Sequence, residues 1–361
     1  MRCLISGGKT GGHLIPGIAL YEVFKKKGFD VRYVLNSTDV KFPIVERIRE
    51  ADRIYLNISS ISRRLSIRTI FDIFKLFFAF FGIFGKIVAF NPDFVVITGG
   101  YISNPVALCT ILLFKPLYIL EQNSIAGITN RFFSIFARRI FTSFEKTQKI
   151  PQKKSEWAGN PILCSERVDR NEAKRFFGVE KYDRVLGIMS GSQGARSVNS
   201  ILIQILPKIE KRNVGIIWSA GVTEFERLKE NKEMEKINAY KNIKIFPFIE
   251  KMNYFYSAVD VVISRAGATS ISELLYFEVP ALVIPIKNSP DNHQELNASF
   301  LVDRGVALMI TEDNIDREIL ISSIEKLLFN TEEYRKNFIK FKKIGKLPQE
   351  FIAEEIMKGE K

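Results

Sequence analysis

Only two histidines occur in this chain, His13 and His293, and the first stands in a glycine-rich run, Gly7-Gly8-Lys9-Thr10-Gly11-Gly12-His13-Leu14-Ile15-Pro16-Gly17. An imidazole with an ordinary pKa of ~6.5 can take a proton from an attacking hydroxyl near neutral pH. The glycines let the backbone turn tightly and approach a ligand, and Pro16 suits the first turn of a following helix. Its Gly8-Lys9-Thr10 does not stand at the offset before the helix that a P-loop requires, and the run lacks the clean spacing of a dinucleotide fingerprint. Ligands of open α/β sheets bind at the carboxyl edge of the strands, which is where this run falls. His13 is therefore the candidate general base, and a helix-capping role is the competing reading.

Four further polar stretches follow strand-like runs. Thr98 to Pro105 and Glu121 to Gly127 belong to the same half as His13 and are expected to converge on it, Asn123 among them; plain turn chemistry is the alternative. Ser190-Gly191-Ser192-Gln193-Gly194-Ala195-Arg196 offers backbone N–H groups ahead of a helix, a suitable place for a phosphate. Ser264 to Glu273 includes a helix expected to start near Ala268, whose positive dipole end suits a pyrophosphate. Glu273, one turn inside, is suited to accept two ribose hydroxyls or simply to stabilise the first turn. The amides of a later loop, Gln294 and Asn297 included, suit sugar hydroxyls. No D-x-D occurs, so no metal bridging a diphosphate and no cofactor is expected; leaving-group charge would be met by helix N-termini and backbone donors.

The elements that must hold these loops alternate. Apolar runs at Cys3–Ser6, Val31–Leu35, Phe94–Thr98, Leu117–Leu120 and Arg139–Thr142 have strand lengths, and Ile18–Lys27 reads as a helix stopped by Gly28. The rhythm recurs at Val185–Ser190, Gly215–Ser219, Ile243–Phe246, Val259–Ser264 and Ala281–Ile284. Near-continuous apolar strands separated by helices indicate two parallel, doubly covered sheets in tandem. The expected domains are 1–160 and 161–361, meeting near Gly159-Asn160-Pro161, with the last helix free to return to the first domain. The Lys/Glu-rich tail from about Thr331 is expected to be helical and to pack on the surface.

The chain has 361 residues, comfortable for two domains. Its three cysteines form no CxxC pair, which argues against a disulfide framework or zinc site. The segment Met1 to Gly7 reads as a first strand and not as a signal peptide. The net charge of +13 is uneven: residues 1–160 hold 23 Lys and Arg against 11 Asp and Glu, whereas the rest hold 30 against 29. A basic first half suits an anionic surface, and the absence of a recognised nucleic-acid motif argues for lipid over nucleic acid. Residues 70–90 carry eight of the thirty phenylalanines but have no charge-free run beyond Leu76–Gly85, ten residues. A bilayer span needs ~20. With Arg63, Arg64 and Arg68 ahead of it, the segment 63–90 is expected to be an interfacial anchor for an anionic membrane, or otherwise an ordinary core helix.

In order, TGGHLIPG, GGY-S-P, EQNSIAGITN, GNP, GSQGA, RAGATSISE and QELNA resemble the MurG family over nearly the whole chain. The resemblance implies a GT-B fold, two Rossmann-like doubly wound domains facing a central cleft. It implies inverting transfer of N-acetylglucosamine from UDP-GlcNAc to the muramoyl 4-hydroxyl of lipid I, giving lipid II, at the cytoplasmic face of the bacterial membrane. His13 would assist deprotonation. Ser192, Gln193, Gly194, Ile249, Ala268, Thr269, Ser270, Ile271, Ser272, Glu273, Gln294 and Asn297 would meet nucleotide and sugar, with Thr10, Gly11, Gly12 and Asn123 approaching from the first domain. Two departures touch the donor side. The family's Arg two residues after the GNP proline is Leu163 here, and its double Gln reads His293-Gln294. A transferase for another glycolipid, a UDP-sugar epimerase and a non-catalytic nucleotide-sugar binder are the competing functions.

Overall fold

Residues of β-branched and aliphatic type alternate along the first strand so that Cys3 and Ile5 enter one core and Leu4 the other. This two-sided burial is why the strands read as continuous apolar runs. The structure, a computed structural model, describes residues 1–58, 67–191, 194–341 and 346–360, and for 67–77 and 79 the backbone alone. The chain divides into two units, Met1–Leu163 with Ile344–Lys361, and Cys164–Lys343.

The first unit's strands are β1 (Arg2–Ser6), β2 (Asp30–Asn36), β3 (Arg53–Leu56), β4 (Phe94–Ile97), β5 (Leu117–Glu121), β6 (Arg139–Thr142) and β7 (Ser155–Trp157). They form one parallel sheet in the order β3-β2-β1-β4-β5-β6-β7. Its helices are α1 (Gly11–Lys26), α2 (Ile67–Phe90), α3 (Ser103–Leu112) and α4 (Ile128–Phe133). Leu14, Ile18 and Phe24 of α1 cover the Cys3–Ile5 face, while Ile83 and Ile87 of α2 and Val106 of α3 cover the Leu4 face.

In the second unit β8 (Arg184–Met189), β9 (Val214–Ser219), β10 (Ile243–Phe246), β11 (Val261–Ser264), β12 (Ala281–Val283) and β13 (Ala307–Met309) pair in parallel as β10-β9-β8-β11-β12-β13. The helices are α5 (Arg170–Phe177), α6 (Arg196–Glu210), α7 (Val222–Glu230), α8 (Glu233–Asn238), α9 (Met252–Ala258), α10 (Ala268–Phe277), α11 (His293–Val302), α12 (Arg317–Phe329) and α13 (Thr331–Lys336). On one face Leu202 of α6 and Ile324 of α12 meet Leu186, Ile216 and Ile263. On the other, Gly187 lets Phe255 of α9 approach β8, because a Cβ there would lie 2.6 Å from the ring.

The terminal helix α14 (Pro348–Gly359) corrects the expectation that the tail packs on the surface. Ile352, Ala353 and Ile356 are fully buried in the first unit's core with α1. Tyr118 Oη donates to Glu360 at 2.5 Å, and Arg139 pairs with Glu355 at 2.7 Å. The units divide after Leu163, close to the expected boundary at 160, and 344–361 belongs to the first unit, the return that the sequence left open for the last helix. Three short edge strands, β3, β7 and β13, were not signalled by apolar runs.

Candidate active site

Both sheets reverse strand order at one point, between β1 and β4 in the first and between β8 and β11 in the second. At such a point neighbouring loops diverge above the strand ends and leave room for a ligand.

In the first unit His13 occupies that position. Its Nδ1 lies 2.8 Å from the Thr98 carbonyl and 3.1 Å from Gln122 Oε1. Gln122 donates its own amide N–H to Leu120 O at 3.1 Å, which turns Oε1 toward the imidazole. A carbonyl can only accept, so Nδ1 carries the proton and Nε2 presents a lone pair. Burial lowers the His13 pKa, against the pull of its bonds to Thr98 and Gln122, so the ring is a neutral base at pH 7. The ring is flanked by Gly99 and Gly100, whose φ angles are +95° and +77°. A Cβ on Gly99 would lie 3.2 Å from His13 Cε1.

Two buried carboxyls shape the surrounding loops. Asp39 accepts from Lys9 N and Asn36 N, each at 3.0 Å, and so holds the glycine-rich loop; burial raises its pKa and these bonds oppose the rise. A Cβ on Gly8 would stand 2.2 Å from Asp39 Oδ2, so the contact requires glycine. Glu121 accepts from Asn123 N at 2.9 Å, Gly127 N at 3.0 Å and Asn130 Nδ2 at 2.8 Å, and burial pushes its pKa up against these bonds. Thr10, Gly11 and Gly12 are exposed at the start of α1, whose first N–H groups have no partner within the helix. The helix begins at Gly11, so Pro16 lies inside it and not in its first turn as the sequence suggested.

In the second unit Ser190 is fixed after β8: its Oγ donates to Asn199 Oδ1 at 2.5 Å and its N–H to Ser219 O at 3.0 Å. Gly194 and Gly221 pack backbone to backbone, since a Cβ on Gly221 would meet Gly194 N at 2.2 Å. Ser192 and Gln193 lie outside the described residues. At the β11 exit, α10 starts at Ala268 and the buried Oγ1 of Thr269 has no hydrogen-bond partner among the described residues. Ser270, Ile271 and Ser272 follow on the same turn, and Ile249 is buried in the loop after β10. Glu273 is enclosed, with Tyr256 Oη donating to Oε2 at 2.9 Å and Cys164 Sγ at 3.4 Å from Oε1. Burial lifts its pKa to about 7 in spite of both donors.

Gln294 accepts from Ile286 N at 3.0 Å, which organises the loop after β12. Asn297 is fully buried and donates to Ala266 O at 3.2 Å, so it shapes the turn into α10. Leu163 packs on the first unit's core. Arg265 is engaged by Glu312 at 2.5 Å, and Glu312 also accepts from Ser197 Oγ and Lys287 N, each at 2.9 Å. Glu312 thereby joins the starts of α6, α10 and the β12 loop. Its carboxyl is partly buried, which raises its pKa, yet these donors hold it below the usual range. Sequence reasoning passed over Gln122, Asp39, Tyr256 and Glu312. Only Gln122 carried a signal, as a polar residue at a strand end. Among the described residues no three His, Cys, Asp or Glu side chains gather as a metal site.

One surface of the first unit is apolar. α2 buries Ile83 and Ile87 and turns Phe78, Phe81 and Val88 to solvent; Leu112 and Phe114 at the end of α3 and Phe132 of α4 are exposed as well. Arg63 and Arg64 lie outside the described residues, and the side chain of Arg68 is not described. Among the described residues no helix is long and apolar enough to cross a membrane.

Tandem Rossmann-like units with glycine-lined loops at both switch points define the GT-B class of nucleotide-sugar enzymes. Residues 3–142 match the glycosyltransferase family 28 N-terminal domain, and residues 185–349 match the family 28 C-terminal domain. The chain is 32% identical over 350 residues to a Bacillus cytotoxicus UDP-N-acetylglucosamine--N-acetylmuramyl-(pentapeptide) pyrophosphoryl-undecaprenol N-acetylglucosamine transferase, covering 96% of this chain and 95% of that one. Its structure resembles Acinetobacter baumannii MurG with a TM-score of 0.75 and 25% identity, covering 99% of each chain. It also resembles the UDP-GlcNAc 2-epimerase of Methanocaldococcus jannaschii, TM-score 0.68 and 17% identity over 99% of this chain and 100% of that one, a likeness of fold alone. The chain belongs to the MurG family.

Proposed function

We propose that this chain transfers GlcNAc from UDP-GlcNAc to the muramoyl 4-hydroxyl of lipid I, forming lipid II with inversion at the anomeric carbon. The single observation that carries the chemistry is the 2.8 Å approach of His13 Nδ1 to the Thr98 carbonyl, from which a proton on Nδ1 and a lone pair on Nε2 follow. Nε2 takes the hydroxyl proton as the oxygen bonds to the anomeric carbon, and the bond from that carbon to the phosphate oxygen breaks, releasing UDP. The activity for which the relatives are named supports this donor and acceptor.

The second unit, from 164 to 343, is the donor domain. The α10 N-terminus and Thr269 suit the diphosphate, Glu273 the ribose, and Gln294 the sugar side. Ser192, Gln193 and Gly194 suit a phosphate on the α6 side. The first unit is the acceptor domain, with Thr10, Gly11, Gly12 and Asn123 near the base. It docks peripherally on the anionic cytoplasmic face of the membrane through the exposed phenylalanines of α2 and their neighbours. The basic first half supports an anionic surface.

UDP release from UDP-GlcNAc by the purified protein, with and without a lipid I analogue, tests the reading. Acceptor-dependent release with a disaccharide product is expected. Release without acceptor would mark a hydrolase or epimerase, and no release in either case would refute the transferase.

A further inference from the structure

Tyr256 is an enclosed phenol whose packing does not call for a hydroxyl. Its ring stacks on Phe277 of α10, with centroids 5.0 Å apart and planes at 15°, a contact that phenylalanine would make equally. The hydroxyl instead reaches 2.9 Å from Glu273 Oε2 and 3.5 Å from Met189 Sδ, at the end of β8. Burial raises the phenol pKa far above its ordinary value, so the proton stays on the oxygen and goes to the better acceptor, the carboxyl. Among the described residues, the donor to the other carboxyl oxygen is the Cys164 thiol, a weak donor at 3.4 Å. One oxygen is thus committed to a strong donor, and the other is held by a weak one.

We propose that Tyr256 is a positioning residue for the donor nucleotide: its hydroxyl clamps Glu273 Oε2 and sets the carboxylate plane, leaving Oε1 to exchange the Cys164 thiol for a ribose hydroxyl. The inference rests on the reading of Glu273 as the ribose acceptor. The titratable groups that face the carboxyl are Tyr256 on α9 and Cys164 ahead of α5, and both act as proton donors. Burial pushes Glu273 up to about 7, and the Tyr256 bond pulls it back more than the Cys164 bond does. A hydroxyl donor binds a carboxylate better than a carboxylic acid, so nucleotide affinity follows the ionisation that Tyr256 favours.

Calorimetric UDP binding across the neutral range, in the wild-type protein, Tyr256→Phe, Glu273→Gln and the double variant, tests the proposal. Wild-type affinity is expected to weaken as pH falls through about 7, relative to Glu273→Gln, which corrects for the titration of UDP itself. Tyr256→Phe keeps the stacked ring and is expected to lose about five- to tenfold in affinity at neutral pH. The loss should shrink in alkali, with the midpoint moved upward, and should vanish in the Glu273→Gln background. A loss equal at every pH, or one that persists with Gln at 273, overturns the proposal alone. Identical pH dependence in wild type and Glu273→Gln also overturns it, by a comparison that needs no Tyr256 variant. A wild-type protein that does not bind UDP overturns the donor reading and this proposal with it.

Discussion

His13 and Thr98 exchange two hydrogen bonds: the imidazole Nδ1 meets the Thr98 carbonyl at 2.8 Å, and Thr98 Oγ1 donates to the His13 carbonyl at 2.9 Å. The pair couples the start of α1 to the end of β4, so the imidazole is oriented by two adjacent strand-end loops and not by its own helix alone. His13→Ala is expected to lower kcat by about 10²- to 10⁴-fold, the usual contribution of a positioned general base. UDP affinity should be largely retained, because the proposed donor ligands belong mainly to the second unit. Comparable loss of UDP binding would show that the substitution acts through folding.

Gln122 gives a prediction with a sign. The His13 pKa is lowered by burial, so the acidic limb of kcat/KM is expected below the ordinary imidazole value of ~6.5. Gln122→Glu would place a carboxylate where Oε1 now stands 3.1 Å from Nδ1. An anion there favours the imidazolium, so the limb should move to higher pH, by on the order of one unit. A pH–rate profile unchanged by this substitution would remove His13 from the titrating step.

The legible and illegible parts of this molecule separate by the range of the forces involved. The central strand β4 is buried on both faces, Phe94 and Val96 in one core and Val95 and Ile97 in the other, so sidedness writes itself into a run of apolar residues. Edge strands do not: β7 is Ser-Glu-Trp, half-buried throughout, and its strand character comes from pairing with β6. In the candidate site, the loop of His13 and the strand-end helix that carries Glu273 were legible because glycine-rich turns after apolar strands have local signatures. Tyr256 and Asp39 were not. Tyr256 is seventeen residues from Glu273, and Asp39 is thirty from Lys9; nothing local in either segment announces the partner. The end of the chain misled for the same reason. A Lys/Glu-rich stretch looks like surface, yet Ile352, Ala353 and Ile356 recur at one face of a helix and fill a core built from the other end of the sequence.

Gly99 tests the close packing around the base. With φ at +95° and a Cβ position 3.2 Å from both the Asn130 amide and the His13 ring, alanine there is strained and crowded. Gly99→Ala is expected to cost about 1–3 kcal/mol of stability and to reduce kcat in protein that remains folded. Denaturant unfolding alongside turnover separates the two. Full activity at reduced stability would mean that the ring yields without losing its alignment.

Glu273 gives a stability prediction. Its folded pKa is about 7, above the ordinary carboxylate value, so the folded state holds its proton more tightly than the unfolded chain does. The stability linked to that proton is present below the unfolded pKa of ~4.3 and lost as pH rises through about 7. Glu273→Gln, which removes the titration, is expected to stabilise the protein at pH ~8 by on the order of 1–3 kcal/mol and to do so far less at pH ~4. Thermal melts at both pH values decide it. Equal shifts at the two would mean that the carboxyl's burial carries no proton-linked cost.

The apolar surface yields the last prediction. Phe81 of α2 is 56% exposed and Phe114, just after α3, is 94% exposed, whereas Ile83 and Ile87 of α2 are fully buried. The helix therefore has an outward apolar face as well as an inward one, which core packing does not explain. Phe81→Ser with Phe114→Ser should leave UDP binding and melting unchanged, because neither ring supports the core. Sedimentation with vesicles containing anionic lipid should fall several-fold, since each exposed ring removed loses about 1–3 kcal/mol of burial in the headgroup boundary. Binding in the wild type that high salt weakens but does not abolish would assign the remainder to these rings. Binding abolished by salt and unaffected by the double substitution would assign membrane contact to the basic surface alone.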